Sequence, residues 1–513
     1  MTTQNGLHFL LIACPAQGHI NPTLQLAKCL ARAGHDVTFA TTANGVRLIN
    51  VPTNLDRLSF ATFSTGFDDG VKPSDDPRHV AEEFKRVGSK SVYNLIVSLS
   101  NQGRPISLLI YTLMLPWAAD VAHELHVPSA FLCIQSAAAF AIYHRYFDGC
   151  KEGDGKSPPS CVELPGLPLF QSRDLPTFLL PSSPHYFAAP TFEDHIRVLE
   201  RDPNPTVLVN TFDALEEHAI MAVDHHDGVK MFTIGPLIPS AFSDMSDPSD
   251  TSYGCDLFQS STDYLSWLGS KADKSVVYVS FGSMAALRRK LFEEIFHGLV
   301  QTGRPYLWVI RPMTHNKIEG EEDEVVIDDV VKNGVGLIGG LEDQGLIVPW
   351  CSQVEVLSHR AIGCFVTHCG WNSILEGLVM GVPMVGVPLI SDQPTNAKMV
   401  EEVWQVGLRV KGNEEAGAVD REDIRVCVEV VMGEEERGEE IRRNTKKWME
   451  LALEAAMEGG SSHSNLARYL EEFQSSQMKG DVISRKLSLS NIVSHEKEVV
   501  EKEELFGKII GKK

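Results

Sequence analysis

The sequence predicts an α/β chain built from two halves, each a doubly wound parallel sheet. Three observations predict it. Short, uninterrupted apolar runs recur, as strands buried on both faces require. Each run is followed by a stretch with helical apolar spacing. The same alternation appears in both halves, on either side of a stretch rich in Ser, Asp and Pro. At 513 residues the chain has room for about two to four domains.

The elements follow in order. His8–Cys14 (HFLLIAC) reads as the first strand and Pro15–Asn21 (PAQGHIN) as a loop. Pro22 suits the first turn of a helix. Leu24, Leu26, Ala27, Leu30 and Ala31 mark its buried side, and Gly34 stops it. Asp36–Thr41 is the second strand, which completes a right-handed βαβ unit. Another unit comprises a strand at Leu108–Tyr111, a helix from Pro116 through Leu125 and a strand at Ser129–Ile134. The second half repeats the pattern. Ser275–Ser280 is a strand, Phe281–Ser283 a turn, Arg288–Gln301 a helix and Tyr306–Ile310 a strand. Further strands are expected at Gly345–Val348, Gly363–Thr367 and Val382–Val387.

Pro239–Thr262 reads as the connection between the halves. The expected division is a first domain at 1–245, a linker at 246–262, a second domain at 263–475 and a disordered tail at 476–513. Glu319–Asp329 is an acidic run suited to a solvated loop. In doubly wound sheets ligands bind at the carboxyl ends of the strands. A two-domain version places them in the cleft between the sheets.

Composition narrows the function. Hydrophobic residues make up 43% and charged residues 22%, which is the composition of a soluble globular protein. Acidic residues outnumber basic ones 68 to 46, a net charge of −22, which disfavours binding to a nucleic-acid backbone. A small anion can still be held by a local nest of N–H donors. The ten cysteines include no CxxC pair, so they read as small buried hydrophobes in a reducing compartment. Neither a leader nor a membrane span is evident, so a cytoplasmic protein is expected.

The most informative segment is Trp350–Gln393, WCSQVEVLSHRAIGCFVTHCGWNSILEGLVMGVPMVGVPLISDQ. A strand ends at His368-Cys369-Gly370 and a helix opens with Trp371-Asn372-Ser373. Free N–H groups at a helix start, approached closely past a glycine, form an anion site. His368, Asn372 and Ser373 add side-chain donors, a set that suits a diphosphate. Taken singly, Trp350 and Trp371 would more often be core, His368 a satisfied structural histidine and Asp392 a helix cap. Cys364, His368 and Cys369 lack a second ligand pair at zinc spacing, so no metal is expected.

This segment resembles the signature box of the plant family-1 UDP-glycosyltransferases from end to end. PAQGHINP and the FGS turn extend the resemblance, which spans roughly residues 7–475. It implies two Rossmann-like domains facing a cleft (the GT-B type) and a UDP-sugar as donor substrate, with no cofactor and no metal. Trp350 would stack on uracil, beside Cys351. Gln353 and Glu376 would meet the ribose. His368, Asn372 and Ser373 would hold the diphosphate, assisted by Ser283. Trp371, Asp392 and Gln393 would read the sugar. In this family the Trp371–Gln393 pairing goes with glucose. Relatives usually carry an aromatic where this chain has Ile390, which makes the sugar pocket atypical.

In the resembling family the histidine of GHINP, here His19, is the general base. It takes a proton from the acceptor in a direct displacement that inverts the anomeric centre. Such help is worth typically ~10²–10⁴-fold. Most relatives orient this histidine with an aspartate, but alignment puts Thr112 at that place. Asp120 lies eight residues further, about 12 Å along a helix, and is a poor substitute. A weaker base suits an acceptor that is already acidic, such as a carboxylic acid. Relatives sharing the YTLLLPWA stretch include enzymes that form glucose esters and others that glucosylate anthocyanin 5-hydroxyls.

The acceptor is expected to be a small apolar or aromatic molecule. Its pocket would come from Thr62–Gly70, Phe131–Tyr146 and Phe178–Tyr186, whose aromatics Phe63, Phe67, Phe140 and Tyr143 suit a flat apolar acceptor and equally suit ordinary core. A monomer is expected. Two other readings are a non-catalytic UDP-sugar-binding protein and a nicotinamide oxidoreductase, although PAQGHIN does not supply GxGxxG after the first strand.

Overall fold

The computed structural model describes residues 6–47, 49, 55–72, 75–150, 161–254, 263–282, 287–310, 344–412 and 419–477. The acidic run at 319–329 and Ser283 lie outside the described residues, as does the tail beyond residue 477.

Seven strands form the first sheet. They are β1 (His8–Ile12), β2 (Asp36–Thr41), β3 (Leu58–Thr62), β4 (Leu108–Thr112), β5 (Ser129–Cys133), β8 (Thr206–Val209) and β9 (Lys230–Thr233). A small antiparallel hairpin, β6 (Cys161–Val162) with β7 (Phe170–Gln171), lies apart from it. The first sheet is parallel throughout, in the order β3-β2-β1-β4-β5-β8-β9. The second sheet contains β10 (Val276–Ser280), β11 (Tyr306–Val309), β12 (Gly345–Val348), β13 (Ile362–Thr367), β14 (Met384–Gly386) and β15 (Gly407–Arg409), in the order β12-β11-β10-β13-β14-β15. In both sheets the chain winds outward from the first strand, reverses, and winds outward the other way. The reversal falls beside β1 and beside β10, which opens a crevice at each carboxyl edge. Central strands such as β1, β4, β10 and β13 are buried along their whole length, as the continuous apolar runs predict.

The register sets the geometry of both crevices. Ile12 pairs with Tyr111, so the turn after β1 opens beside Thr112. Ser280 pairs with Thr367, so Phe281-Gly282 lies beside His368.

One element starts earlier than the sequence suggests. The first helix spans Gln17–Arg32, with Pro22 inside it. His19 therefore sits in the first turn of a helix, not in a loop. A proline in the sixth helical position removes the N–H that would reach the carbonyl of residue 18. The cost is small because that carbonyl finds a partner elsewhere, as described below.

The halves are tightly joined. Asp174, buried, meets Arg409 at 2.7 Å and Lys398 at 3.6 Å. Thr395 Oγ1 donates to the Asp174 carbonyl at 2.6 Å, and Trp404 Nε1 to that of Leu215 at 3.0 Å. Residues 461–477 form a helix that leaves the second half and packs on the first. There Tyr469 lies against Phe232 at 5.2 Å and Asn465 Nδ2 donates to Thr233 Oγ1 at 2.7 Å. The connecting stretch is also fastened. Asp250 pairs with Lys28 at 2.7 Å, both almost fully buried. Among the described residues no helix is long and apolar enough to cross a membrane.

Asp174→Ala strands Arg409 without its carboxylate. It should lower the unfolding free energy by about 3 kcal/mol, read as a reduced midpoint in urea. A second prediction concerns His195, fully buried against the rings of Phe131 and Tyr111, with neither ring nitrogen hydrogen-bonded. Burial pulls its pKa down to about 3. The unfolded chain binds that proton below about 6.5 and the folded chain does not. Stability should therefore fall as pH drops from 6.5 towards 3, by up to about 1.4 kcal/mol per pH unit for this group. His195→Phe should make that acid limb shallower and leave stability above pH 6.5 free of the trend, as measured by denaturant titrations across pH.

Candidate active site

The crevices of the two sheets face each other and merge into one cleft of about 440 Å³. Every candidate residue among those described lines it: His19, Trp350, Cys351, Gln353, His368, Trp371, Asn372, Ser373, Glu376, Asp392 and Gln393. Among the described residues, no lysine or arginine lines it.

The anion site is built at the end of β13. The helix Trp371–Val379 opens after Gly370 with no side chain capping it, so its first N–H groups are left for a ligand. Two glycines make room for His368 beside it. A Cβ on Gly370 would stand 2.4 Å from His368 Nε2, and one on Gly282, whose φ is +74°, would stand 2.8 Å away. Cys369 takes a left-handed φ of 62°, a strained turn that carries the chain from strand to helix. Burial lowers the His368 pKa to about 4, so this imidazole is neutral.

Across the cleft, Asn372 Nδ2 donates at 3.0 Å to the Gly18 carbonyl. This is the carbonyl that Pro22 leaves free within its own helix. The two helix starts, one bearing His19 and the other Asn372, are thereby held face to face.

Glu376 and Gln353 form a connected pair. Gln353 Nε2 donates to Glu376 Oε2 at 2.5 Å and to Ser373 Oγ at 2.9 Å. Its Oε1 accepts from Tyr278 Oη at 3.2 Å, and Tyr278 also lies 3.4 Å from the Cys351 sulfur. Glu376 Oε1 accepts from Tyr253 Oη at 2.9 Å. Burial raises the Glu376 pKa to about 7, against the opposing pull of these two donors.

The far end of the box is equally ordered. Gln393 Oε1 accepts the N–H groups of Leu389 and Ile390 at 2.8 and 2.9 Å, which leaves its amide nitrogen for the cleft. Asp392 accepts from Asn396 Nδ2 at 2.8 Å, and its pKa is raised by burial. Trp371 is buried, and its indole N–H donates to the Asn210 carbonyl at 2.7 Å, so this nitrogen is committed to the contact between the halves.

His19 is half-buried. Its Nδ1 is enclosed and without a partner, and burial lowers its pKa to about 4. Thr112, fully buried, likewise has an unpartnered Oγ1, so the two are not hydrogen-bonded to each other. Asp120 is exposed and pairs with Arg201 at 3.4 Å, away from the cleft.

The candidate acceptor walls need correction. Phe63, Phe140 and Tyr143 are core residues, and Phe67 packs on Phe84. None of the four lines the cleft. The helix Ala137–Cys150 turns its rings inward, where Phe140 meets Phe131 and Tyr143 meets Phe192. The wall is made instead by Leu113, Met114, Ile134, Phe178, Phe187 and Phe192, with Gln135 and His185 as polar members. Sequence reasoning also missed Tyr253. It is one of three aromatics in the connection, with Phe242 and Phe258, so composition alone did not single it out.

Comparison with known proteins places this geometry. The family model for UDP-glucoronosyl and UDP-glucosyl transferases matches residues 258–446. The chain is 48% identical over 478 residues to phloretin 4'-O-glucosyltransferase of Malus domestica, covering 91% of this chain and 98% of that one. It is 48% identical to the chloroplastic crocetin glucosyltransferase of Gardenia jasminoides, with 91% and 97% covered. Among solved structures, Os79 of O. sativa in complex with UDP superposes with a TM-score of 0.79 at 33% identity, over 91% of this chain and all of that one. With relatives this similar over nearly their full lengths, and with both sheets opening on one shared cleft, the chain belongs to the plant family-1 UDP-glycosyltransferases.

Proposed function

We propose that the protein transfers glucose from UDP-glucose to a small apolar acceptor with inversion at the anomeric carbon, and that a carboxylate is the preferred nucleophile. The observation that carries this reading is the convergence of His19 from one half and the whole Trp350–Gln393 box from the other on a single cleft.

In this reading the uracil lies on Trp350, a flat apolar face. Glu376 accepts from the ribose hydroxyls. The diphosphate rests on the uncapped start of Trp371–Val379, where N–H groups and the helix dipole stabilise the charge that develops as UDP leaves. Asn372, Ser373 and His368 complete that cradle. The free amide of Gln393 and the Asp392 carboxylate meet the hexose hydroxyls, and glucose is the hexose that Gln393 together with Trp371 favours. Ile390 gives that pocket an aliphatic floor.

The acceptor argument rests on the base. His19 is neutral and so able to take a proton, but burial weakens it as a base. No carboxylate stabilises its protonated form, since Thr112 stands where most relatives carry one. An acid with a pKa near 4–5 arrives already ionised at neutral pH, whereas a phenol near 10 does not. The apolar wall of Phe178, Phe187 and Phe192 suits a flat or polyene skeleton.

The test is an acceptor panel of carboxylates and phenols with UDP-glucose, read by mass spectrometry and by alkaline lability, because esters cleave in mild base. Ester products are expected to dominate. His19→Ala should cost less than about tenfold in kcat/KM on a carboxylate and about 10²–10⁴-fold on a phenol. A several-thousandfold loss on the carboxylate would overturn the acceptor assignment.

A further inference from the structure

The segment that joins the two halves reaches into the cleft. We propose that Tyr253, carried on this segment, is a positioning residue for the nucleotide, holding the Glu376 carboxylate ready for the ribose hydroxyls. The inference rests on the reading of Glu376 as the ribose-binding group and adds to it a residue from outside the box.

The segment is anchored firmly. Lys28 and Arg32 lie one turn apart on the helix that begins beside His19. Lys28 Nζ meets Asp250 Oδ1 at 2.7 Å and the Ser252 carbonyl at 3.1 Å. Arg32 meets Asp250 Oδ2 and Asp247 Oδ2, both at 2.9 Å. A buried Lys–Asp pair gains little net stability over apolar packing. It does fix where the chain goes next, and within three residues of Asp250 the chain delivers Ser252 and Tyr253 to the cleft wall.

There the Tyr253 hydroxyl takes one oxygen of Glu376 while Gln353 takes the other. Each carboxylate oxygen has two acceptor directions, so one on each remains for a ligand. Hydrogen bonds to the ionised form favour that form, which is the form able to accept from two hydroxyls. The groups facing Glu376 are Tyr253 from the connection, Gln353 from the helix Gln353–Ser358 and Ser373 from its own helix. Tyr278 of β10 stands behind Gln353. Asp250, beyond Tyr253, is paired with Lys28 and Arg32. Among the described residues no cation meets this carboxylate, and two neutral donors orient it. One comes from the second half and the other from a segment tied to the first.

The experiment is a double-mutant cycle on UDP affinity by calorimetry, using the wild type, Tyr253→Phe, Glu376→Gln and the double variant. Tyr253→Phe keeps the ring and loses only the hydroxyl. It should weaken UDP binding about tenfold, with the loss appearing in KM for UDP-glucose more than in kcat. In the Glu376→Gln background the same change should cost less than about twofold. Equal losses in both backgrounds, or wild-type affinity for Tyr253→Phe, would show that Tyr253 merely packs and would overturn the proposal. If Glu376→Gln itself leaves UDP affinity intact, the ribose assignment fails, and the proposal fails with it by a separate route.

Discussion

Among the described residues no lysine or arginine lines the cleft, and the chemistry of these residues follows from that constraint. A diphosphate would have to be held by partial charges: uncapped N–H groups, amides, a hydroxyl and a neutral imidazole. Partial charges are effective only where water is excluded and the dipoles are fixed in advance. The same exclusion of water acts on every titratable group nearby. It lowers the pKa values of His19 and His368 and raises those of Glu376 and Asp392. Weak basicity at His19 is therefore a consequence of how the donor side is built, and the missing aspartate at Thr112 compounds it. A carboxylate next to His19 would stabilise the imidazolium, but it would also bring a full negative charge into a cleft whose described lining residues include no lysine or arginine to balance it.

Fixed dipoles need rigid supports. Gly282 and Gly370 leave a slot that only a flat ring fills, so His368 cannot swing. Gln393 is tied through its oxygen to two backbone N–H groups. Gln353 makes three polar contacts that orient its amide. The strained turn at Cys369 aims the start of the following helix into the cleft, and its buried side chain lies over Gly386, where a Cβ would stand 2.6 Å from the sulfur. Polar groups locked in this way have paid their ordering entropy during folding, which leaves less to lose when a ligand arrives.

What was legible in the sequence reflects how each feature is encoded. The two sheets and their winding were readable because strands buried on both faces leave continuous apolar runs. The box was readable because strand, turn and helix are contiguous, and spacing along the chain translates directly into spacing at one sheet edge. Other features are set by tertiary contacts. Pro22 reads as the start of a helix because an interior proline normally costs about 3 kcal/mol, yet here the freed carbonyl is satisfied by Asn372, 354 residues away. The rings of Phe140 and Tyr143 have the composition of a binding wall, but helical phase against the sheet turns them into core. Tyr253 meets Glu376 across 123 residues, and nothing local to either residue announces that contact.

The Pro22 exception also suggests how the halves stay in register. A helix without that proline would close its own bond to Gly18, and Asn372 would then share that carbonyl with a backbone N–H. With the proline, the first turn carrying His19 is left one hydrogen bond short, and the second half supplies it from the residue that follows Trp371. An amide-to-carbonyl contact thus bridges the helix start that bears His19 and the one that bears Asn372. Asp174 with Arg409 and Lys398 ties the two halves together, and Lys28 with Asp250 ties the connecting stretch to the first half, both largely buried. Buried ion pairs of this kind tolerate little displacement, because moving the partners apart leaves uncompensated charge in a dry setting. The Asp174 cluster therefore limits sliding of the halves, and the neutral contact between Asn372 and Gly18, too weak to do so alone, joins the two helix starts that face each other across the cleft.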